Sequence, residues 1–411
     1  MIRHRDCAGL EQDTEEGIRV ELLEKAFSIE NEVREWRRHI HRHPELGMET
    51  EGTASFIEKV LNEIGVENVR RCGKTGVVAL IEGALPGDCV GLRADIDALP
   101  VLERNDLPYR SCVEGVAHAC AHDVHAACLL GAAKLLHGAR STMKGSVKLI
   151  FQPGEEVMAG AAAMIEDGVL ENPKMKAVYA LHAWPELPAG MIGLRNGPVM
   201  AGSQWVYITV KGSQGHAAHP HRCVDSVLIS GHIICALQSV MSREIAPLES
   251  GVLSLCKIEG GTAGNILPEE VRIAGTVRAL YKEVNQQILD AAKRIVEGTA
   301  AALRGSATFE APPGLPPVFN EPEAYAKIRD AFEYAIGKDR LMDLPYPSMG
   351  GEDFAFFLDK VPGGHFRIGV GPKEGTTPPL HSPDFVANEE CLPYGSAAYA
   401  AIALDELGSL R

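Results

Sequence analysis

Four side chains that could bind a metal ion lie within eight residues, in the sequence His-Ala-Cys-Ala-His-Asp-Val-His from His118 to His125. Cys120 and His122 immediately precede an apolar helical run, and the positive N-terminal end of a helix favours a thiolate and therefore metal binding. His125 lies one helical turn beyond His122. The alternative is a set of buried polar residues at the start of a helix. We interpret the segment as half of a metal site.

The other half is expected where polar side chains follow predicted strands. Glu156 comes shortly after the strand 146–151, His182 comes directly after the strand 177–181, and His381 follows the strand 365–370. Proteins with mostly parallel sheets place their sites at the carboxyl ends of strands. The candidate metal ligands are Cys120, His122, Glu156, His182 and His381.

These thiol, imidazole and carboxylate ligands suit Zn, Mn, Co or Ni, whereas Ca and Mg prefer oxygen ligands. Five ligands exceed the needs of one tetrahedral ion, so a two-metal site is expected. Spacing does not show which residue bridges the ions. Of the adjacent pair Glu155 and Glu156, one carboxylate can bind metal while the other takes a proton from water. The alternative for this pair is a solvated surface.

The order of predicted elements indicates an α/β fold with two domains. Helices and strands alternate up to about residue 200, and a βαββαβ unit with four strands follows at 203–311. Gly- and Pro-rich segments at 196–198 and 312–317 flank this unit, so the pattern predicts that it is an insertion. We predict a catalytic metal-binding domain formed by residues 1–198 and 312–411, with an inserted lid and dimerisation domain at 199–311.

The composition is that of a globular protein that does not bind nucleic acid. The 411 residues include 40 Lys and Arg against 55 Asp and Glu, and the formal charge of −15 disfavours nucleic acid or an anionic membrane surface as a partner. Residues 1–16 contain no apolar run that predicts a signal peptide or anchor, and no segment approaches the length of a membrane span. Ten scattered Cys without a CxxC pair favour reduced thiols and a cytoplasmic location.

Taken together, these motifs resemble the M20 metallopeptidase family, and specifically its amidohydrolase branch of hippurate hydrolases, indole-acetyl-amino-acid hydrolases and N-acyl-amino-acid deacetylases. The resemblance extends over nearly the whole chain, and as a set the motifs are very specific. The matching stretches are Arg42 to Gly47, Leu92 to Pro100, His118 to His125, Gln152 to Glu156, Gly215 to His221, Gly260 to Pro268, Met349 to Phe354 and Leu380 to Pro383.

The resemblance implies a role for each candidate residue. It places the five candidate ligands on the family's metal ligands, Glu155 on its general base and proton shuttle, and Asp97 on a carboxylate that orients a ligand. His216 corresponds to a His that stabilises the oxyanion and that reaches the site from a neighbouring subunit in relatives. Asn265 corresponds to a substrate-binding Asn, and Arg278 is expected to assist with the substrate carboxylate.

Two residues depart from the family pattern. Ala121 stands where relatives usually carry Gly between the Cys and His ligands, and Gly154 stands where they carry Ala before the Glu pair. Ala121 matters if that backbone position needs a positive φ, which Ala tolerates poorly. Because neither change removes a ligand or the base, activity is expected to survive.

The resulting expectation is a metal-dependent amidohydrolase that cleaves N-acyl amino acids into a carboxylic acid and an amino acid, as a homodimer or higher homo-oligomer. One alternative is a dipeptidase or aminopeptidase on the same scaffold. Another is a noncatalytic metal-binding relative, which would be expected to have lost a ligand or the base. The acyl group, the amino acid and the physiological metal are left open by the sequence.

Overall fold

The structure is a computed structural model that describes residues 21–411. The sequence prediction for residues 1–16 therefore lies outside the described residues. The described chain divides into two compact units. Unit 1 comprises the described residues up to Gly197 together with 319–345 and 356–411, and unit 2 comprises residues 198–318 and 346–355.

The first half of the chain alternates helices and strands, as the sequence predicts. Its elements are α1 (Glu30–Arg42), α2 (Glu51–Ile64), β1 (Asn68–Cys72), β2 (Gly76–Glu82), β3 (Leu85–Asp95), α3 (His122–Ala139), β4 (Lys144–Gln152), α4 (Gly160–Glu166), β5 (Met175–Pro188), β6 (Ile192–Leu194) and β7 (Gly197–Met200). A β-strand at 68–72 was not predicted, because its two consecutive Arg residues, Arg70 and Arg71, interrupt the alternation of apolar and polar residues.

The remaining elements include the inserted βαββαβ order that the sequence predicts. They are β8 (Gly202–Lys211), β9 (Gly215–His216), α5 (Ser226–Ser239), β10 (Gly251–Gly260), β11 (Ile266–Leu267), β12 (Glu270–Ala279), α6 (Lys282–Ala302), β13 (Ser306–Glu310), β14 (Val318–Asn320), α7 (Pro322–Ala335), β15 (Leu341–Asp343), α8 (Ala355–Leu358), β16 (Gly363–Gly371) and α9 (Leu392–Glu406).

Unit 1 is built on an eight-stranded sheet with the strand order β1-β2-β4-β3-β5-β16-β6-β15. Its central strands β4, β3, β5 and β16 run parallel, so their carboxyl ends lie at one edge of the sheet. Helices α3 and α9 pack against each other and against this sheet. Both helices are buried around nearly their whole circumference, which is typical of helices in the centre of a large core.

A buried lysine side chain holds one loop of unit 1 against the sheet through hydrogen bonds. Lys148 lies in β4, and its Nζ donates hydrogen bonds of 2.8 Å to three backbone carbonyls, those of Val169, Glu171 and Pro173. Burial lowers the pKa of this ammonium group. Because all three bonds are charge-assisted, they compensate for removing the ammonium group from water.

Unit 2 contains a four-stranded antiparallel sheet with the order β10-β12-β8-β13 and two helices, α5 and α6. Its own apolar core lies between sheet and helices, with Ile208, Ile233 and Ile288 fully buried. A separate two-stranded ribbon pairs β9 with β11. Within residues 21–411, no helix combines the length and apolarity that crossing a membrane requires.

Candidate metal centre

Two histidines of unit 1 are held so that the same ring nitrogen is presented to a common pocket. His122 donates from Nδ1 to the backbone carbonyl of Asp97 at 2.9 Å, and His182 donates from Nδ1 to the carbonyl of Ala183 at 2.8 Å. A carbonyl oxygen can only accept, so the proton of each ring is on Nδ1 and Nε2 is left for a ligand. This arrangement is typical of metal-binding histidines.

The five candidate ligands converge in three overlapping groups. In each group, all ligand atoms lie within 4.8 Å of one another. One group consists of Cys120, His122 and His182, and another consists of Cys120, Glu156 and His381. The Cys120 Sγ lies 3.7 Å from His182 Nε2, and the His381 Nε2 lies 3.5 Å from Glu156 Oε1. Cys120 is common to the group that contains His182 and to the group that contains His381, so its thiol lies beside both sets of candidate ligands.

A third group joins His122 to the Glu pair. The Nε2 of His122 lies 3.9 Å from Glu155 Oε2 and 3.9 Å from Glu156 Oε1. Both His122 Nε2 and Glu156 Oε1 are buried without a hydrogen-bond partner among the described residues. Buried polar atoms in folded proteins are nearly always satisfied, so two such atoms facing one pocket are the pattern that a bound cation would complete.

Asp97 connects the carboxylate loop to the histidine ligand. Its Oδ1 and Oδ2 each accept a backbone hydrogen bond of 3.1 Å, from Glu155 N and Glu156 N respectively. Oδ1 also lies 3.3 Å from His122 Nδ1. This buried side chain therefore contacts the backbone of the Glu pair and the ring of His122 together.

The charges around His122 favour a cation. Burial lowers its pKa, but Asp95 and Cys120 outweigh that effect and raise it well above the ordinary value. Burial likewise opposes ionisation of Glu156, yet the nearby His381 imidazole and the charge of His122 lower its pKa. Because these groups stabilise positive charge, the thiol, imidazole and carboxylate atoms fit a transition metal.

Burial raises the pKa of the Cys120 thiol well above the ordinary value, and His122 opposes that effect. One sequence prediction about this region needs correction. His182 lies within β5 and not after its end, because β5 continues to Pro188 by pairing with β16, with Ala183 opposite Ile368. Burial and His125 lower the pKa of His182 to about 3, so its imidazole is neutral, which is the form that binds metal.

The remaining histidines of the opening motif are supporting residues. His125 bonds through Nδ1 to Asp95 Oδ1 at 2.5 Å and accepts the backbone N–H of Ala183 on Nε2 at 2.8 Å, which fixes the strand that carries His182. Asp95 also accepts from Arg93 at 2.7 Å. His118 is buried outside the three ligand groups. Sequence reasoning missed Asp95 as an anchor, although its place at the end of β3 was a signal.

A buried ionic network holds the start of helix α3 from the opposite side. Arg37 Nε lies 2.7 Å from Asp123 Oδ2, and His41 bridges Asp123 Oδ2 at 2.8 Å and Glu103 Oε1 at 3.2 Å. Burial and Arg37 lower the pKa of His41, but the two carboxylates outweigh them and raise it. The rings of Tyr109 and of the buried His118 also face His41. This network positions Asp123, the neighbour of His122.

Three predicted site residues lie in unit 2, the catalytic His216 and the substrate-binding Asn265 and Arg278. Antiparallel pairing of β9 with β11 places His216 opposite Ile266, and Ala217 N donates to the carbonyl of Asn265 at 3.0 Å. The ribbon therefore brings His216 and Asn265 together although 48 residues separate them in sequence. Arg278 lies in β12 and donates from Nη1 to the carbonyl of Met349 at 3.0 Å.

Comparison with known proteins identifies the family. The profile of the peptidase family M20/M25/M40 matches residues 91–405, which include all ten predicted site residues. The chain belongs to this family.

Curated relatives and a solved structure match over almost the whole chain. The sequence is 38% identical over 392 residues to N-acetylcysteine deacetylase of Bacillus subtilis, covering 95% of this chain and 100% of that protein. It is 36% identical to IAA-amino acid hydrolase ILR1-like 2 of Arabidopsis thaliana, covering 96% and 90% of the two chains. The crystal structure of the Bacillus subtilis YxeP protein, described as a dinuclear metal-binding peptidase of family M20, superimposes with a TM-score of 0.82 at 34% identity, covering 93% and 99%.

Proposed function

We propose that this protein is a metal-dependent amidohydrolase that cleaves the amide bond of N-acyl amino acids and releases a carboxylic acid and a free amino acid. The observation that carries the proposal is the presentation of His122 Nε2 beside Glu155, Glu156 and Cys120 in one buried pocket. Two relatives at 36% and 38% identity are named for hydrolysis of N-acylated amino acids, which supports the same substrate class here.

The ligand groups support two divalent transition-metal ions, Zn, Mn, Co or Ni. We assign the binding to Cys120, His122, Glu156, His182 and His381, with Cys120 shared between the two ligand sets. When bound, such ions polarise the amide carbonyl and lower the pKa of the attacking water.

Within this site, Glu155 acts as the general base. Its carboxylate lies 3.9 Å from His122 Nε2 and takes a proton from the attacking water. The same carboxyl group then delivers that proton to the nitrogen of the leaving amine. Asp97 keeps the carboxylate in place through the Glu155 backbone N–H.

The residues of unit 2 complete the proposed mechanism. His216 donates a hydrogen bond to the oxyanion of the tetrahedral intermediate, an interaction that strengthens as negative charge develops on the carbonyl oxygen. Asn265 binds the substrate, and Arg278 binds its carboxylate through the guanidinium donors that Met349 does not occupy. We further propose a cytoplasmic location and a homodimer formed through unit 2, whose exposed Trp205 and Tyr207 are suited to self-association.

The proposal is tested by amide hydrolysis with metal-stripped protein resupplied with Zn, Mn, Co or Ni. The substrates are hippurate, N-acetyl-methionine, indole-acetyl-alanine and a plain dipeptide, and Glu155→Gln is compared with Glu166→Gln, which changes an exposed glutamate on α4. We expect metal-dependent release of the amino acid that Glu155→Gln abolishes and Glu166→Gln retains. Cleavage of the dipeptide alone would establish a peptidase, and metal binding without any cleavage would establish a noncatalytic relative.

A further inference from the structure

The backbone around His216 is fixed on both sides of the residue. Antiparallel pairing holds His216 opposite Ile266, the Ala217 N–H is bonded to the Asn265 carbonyl, and the His219 N–H donates to the His216 carbonyl at 2.8 Å. The His216 side chain itself is exposed within unit 2, so packing does not fix its ring. The ring of His219 lies 5.8 Å away between centroids in a tilted arrangement, so the directional contact that can orient the imidazole is a hydrogen bond.

That hydrogen bond is present and comes from the main chain. The backbone N–H of Ala218 donates to His216 Nδ1 at 3.0 Å. A backbone nitrogen can only donate, and an imidazole nitrogen can accept only when it carries no proton. The ring that makes this bond is therefore the neutral tautomer with its proton on Nε2.

We propose that the Ala218 backbone N–H sets both the tautomer and the orientation of His216, so that the ring presents a neutral Nε2–H donor. Ala218 is thus a positioning residue that acts through its main chain. The inference rests on the proposed oxyanion role of His216, for which it supplies the donating atom. With the opposite tautomer, Nε2 would present a lone pair to the oxyanion and would repel it.

Nitrogen spectroscopy tests the tautomer without any catalytic assay. Full-length zinc-loaded protein is labelled with ¹⁵N at histidine, and His216→Gln identifies the signals of His216. We expect Nδ1 to be unprotonated and hydrogen-bonded and Nε2 to carry the proton. A neutral ring that is protonated on Nδ1 overturns the inference, whatever the kinetics show.

Side-chain variants test which atom donates. Asn at position 216 retains an acceptor near Nδ1 but lacks a donor at the Nε2 position, whereas Gln carries an amide donor near the Nε2 position. Because losing one oxyanion donor lowers kcat about 10²–10³-fold, we expect that loss for His216→Asn and a clear partial recovery for His216→Gln, with KM little changed. Equal loss in both variants shows that a charged imidazolium is required and overturns the inference.

Removal of the N–H completes the test. Ala218→Pro deletes the donor, and Ala218→Gly is the matched control that keeps it. We expect a 10- to 100-fold lower kcat and averaged Nδ1 and Nε2 signals only in Ala218→Pro, on the scale of a weakened oxyanion donor. If Ala218→Pro keeps the wild-type His216 signals, the N–H does not set the tautomer. If all His216 variants keep full kcat, the oxyanion role in the proposed function fails, while the spectroscopic result still decides the tautomer.

Discussion

Asp97→Asn is the substitution that most directly probes how the site is positioned. The carboxylate accepts one backbone N–H on each oxygen, from Glu155 and from Glu156, at 3.1 Å each. An asparagine of the same shape has one oxygen and one NH₂ group. In either amide orientation, a backbone N–H therefore faces another donor, and the negative charge beside His122 Nδ1 is lost.

The magnitude follows from the number of bonds broken. A buried donor left without an acceptor costs about 1–3 kcal/mol, and losing a group that orients metal ligands typically costs about 10- to 100-fold in metal affinity or activity. We expect kcat/KM and metal affinity to fall within that range, because a tenfold loss corresponds to about 1.4 kcal/mol.

The assay combines steady-state kinetics with metal competition against a chelator, at a temperature well below unfolding. Asp88→Asn is the matched control, since Asp88 has a side chain that is 64% exposed and only a surface ion pair with Lys176. We expect the control to match wild type. A folded Asp97→Asn protein with kcat/KM and metal affinity within twofold of wild type would refute the positioning argument.

Three further changes test other parts of the structure. Lys148→Met leaves three backbone carbonyls without their donor, of which that of Val169 belongs to a buried residue, and should lower the free energy of unfolding by about 1–3 kcal/mol. Lys144→Met at an exposed position should change it little in the same denaturant titration. Ala121→Gly relieves about 1–2 kcal/mol of left-handed backbone strain. It also loses about 0.8 kcal/mol from burial of the methyl group and about 0.4–1 kcal/mol because glycine has more conformational freedom in the unfolded chain. These contributions nearly cancel, so a change of more than about 2 kcal/mol in the free energy of unfolding would contradict this balance. His41 has a raised pKa in the folded state, so its protonation contributes fully to stability below its unfolded pKa, and that contribution is lost as pH rises through the folded pKa. The difference in free energy of unfolding between wild type and His41→Gln should therefore shrink towards alkaline pH. A difference that stays constant with pH would contradict this role of His41.

The sequence predicted the parts of the site that depend on local pattern. Cys120 and His122 precede a strongly apolar helix, and Glu156 follows a β-branched strand, so their places on the fold could be inferred from short segments. Parallel strands gather their carboxyl ends at one edge, which is why residues far apart in sequence were expected to meet. The ligand groups found in unit 1 agree with that expectation.

The contacts that orient the ligands could not be predicted in the same way. The bond from Ala183 N to His125 joins residues 58 positions apart, and so does the bond from Glu155 N to Asp97. Periodicity shows that a residue lies in a strand, but it does not show which backbone N–H group will face a given side chain. The continuation of β5 past His182 was missed for the same reason, since it depends on pairing with β16.

A shared backbone device explains why these ligands can converge. Ala121 lies between Cys120 and His122 with φ of 64°, Gly154 precedes the Glu pair with φ of 64°, and His381 itself has φ of 66°. The ligand segments of Cys120 and His122, of the Glu pair and of His381 therefore turn through the left-handed region at or near a ligand, whereas His182 lies in an extended strand. Only glycine indicates a left-handed turn by its residue type. The sequence therefore raised a positive φ at Ala121 only as a possibility, and it did not predict the positive φ at His381. Backbone strain of this kind persists where surrounding contacts stabilise it. The hydrogen bond from His381 N to the Ala119 carbonyl is such a contact, because it connects the left-handed segment at His381 to the one at Ala121.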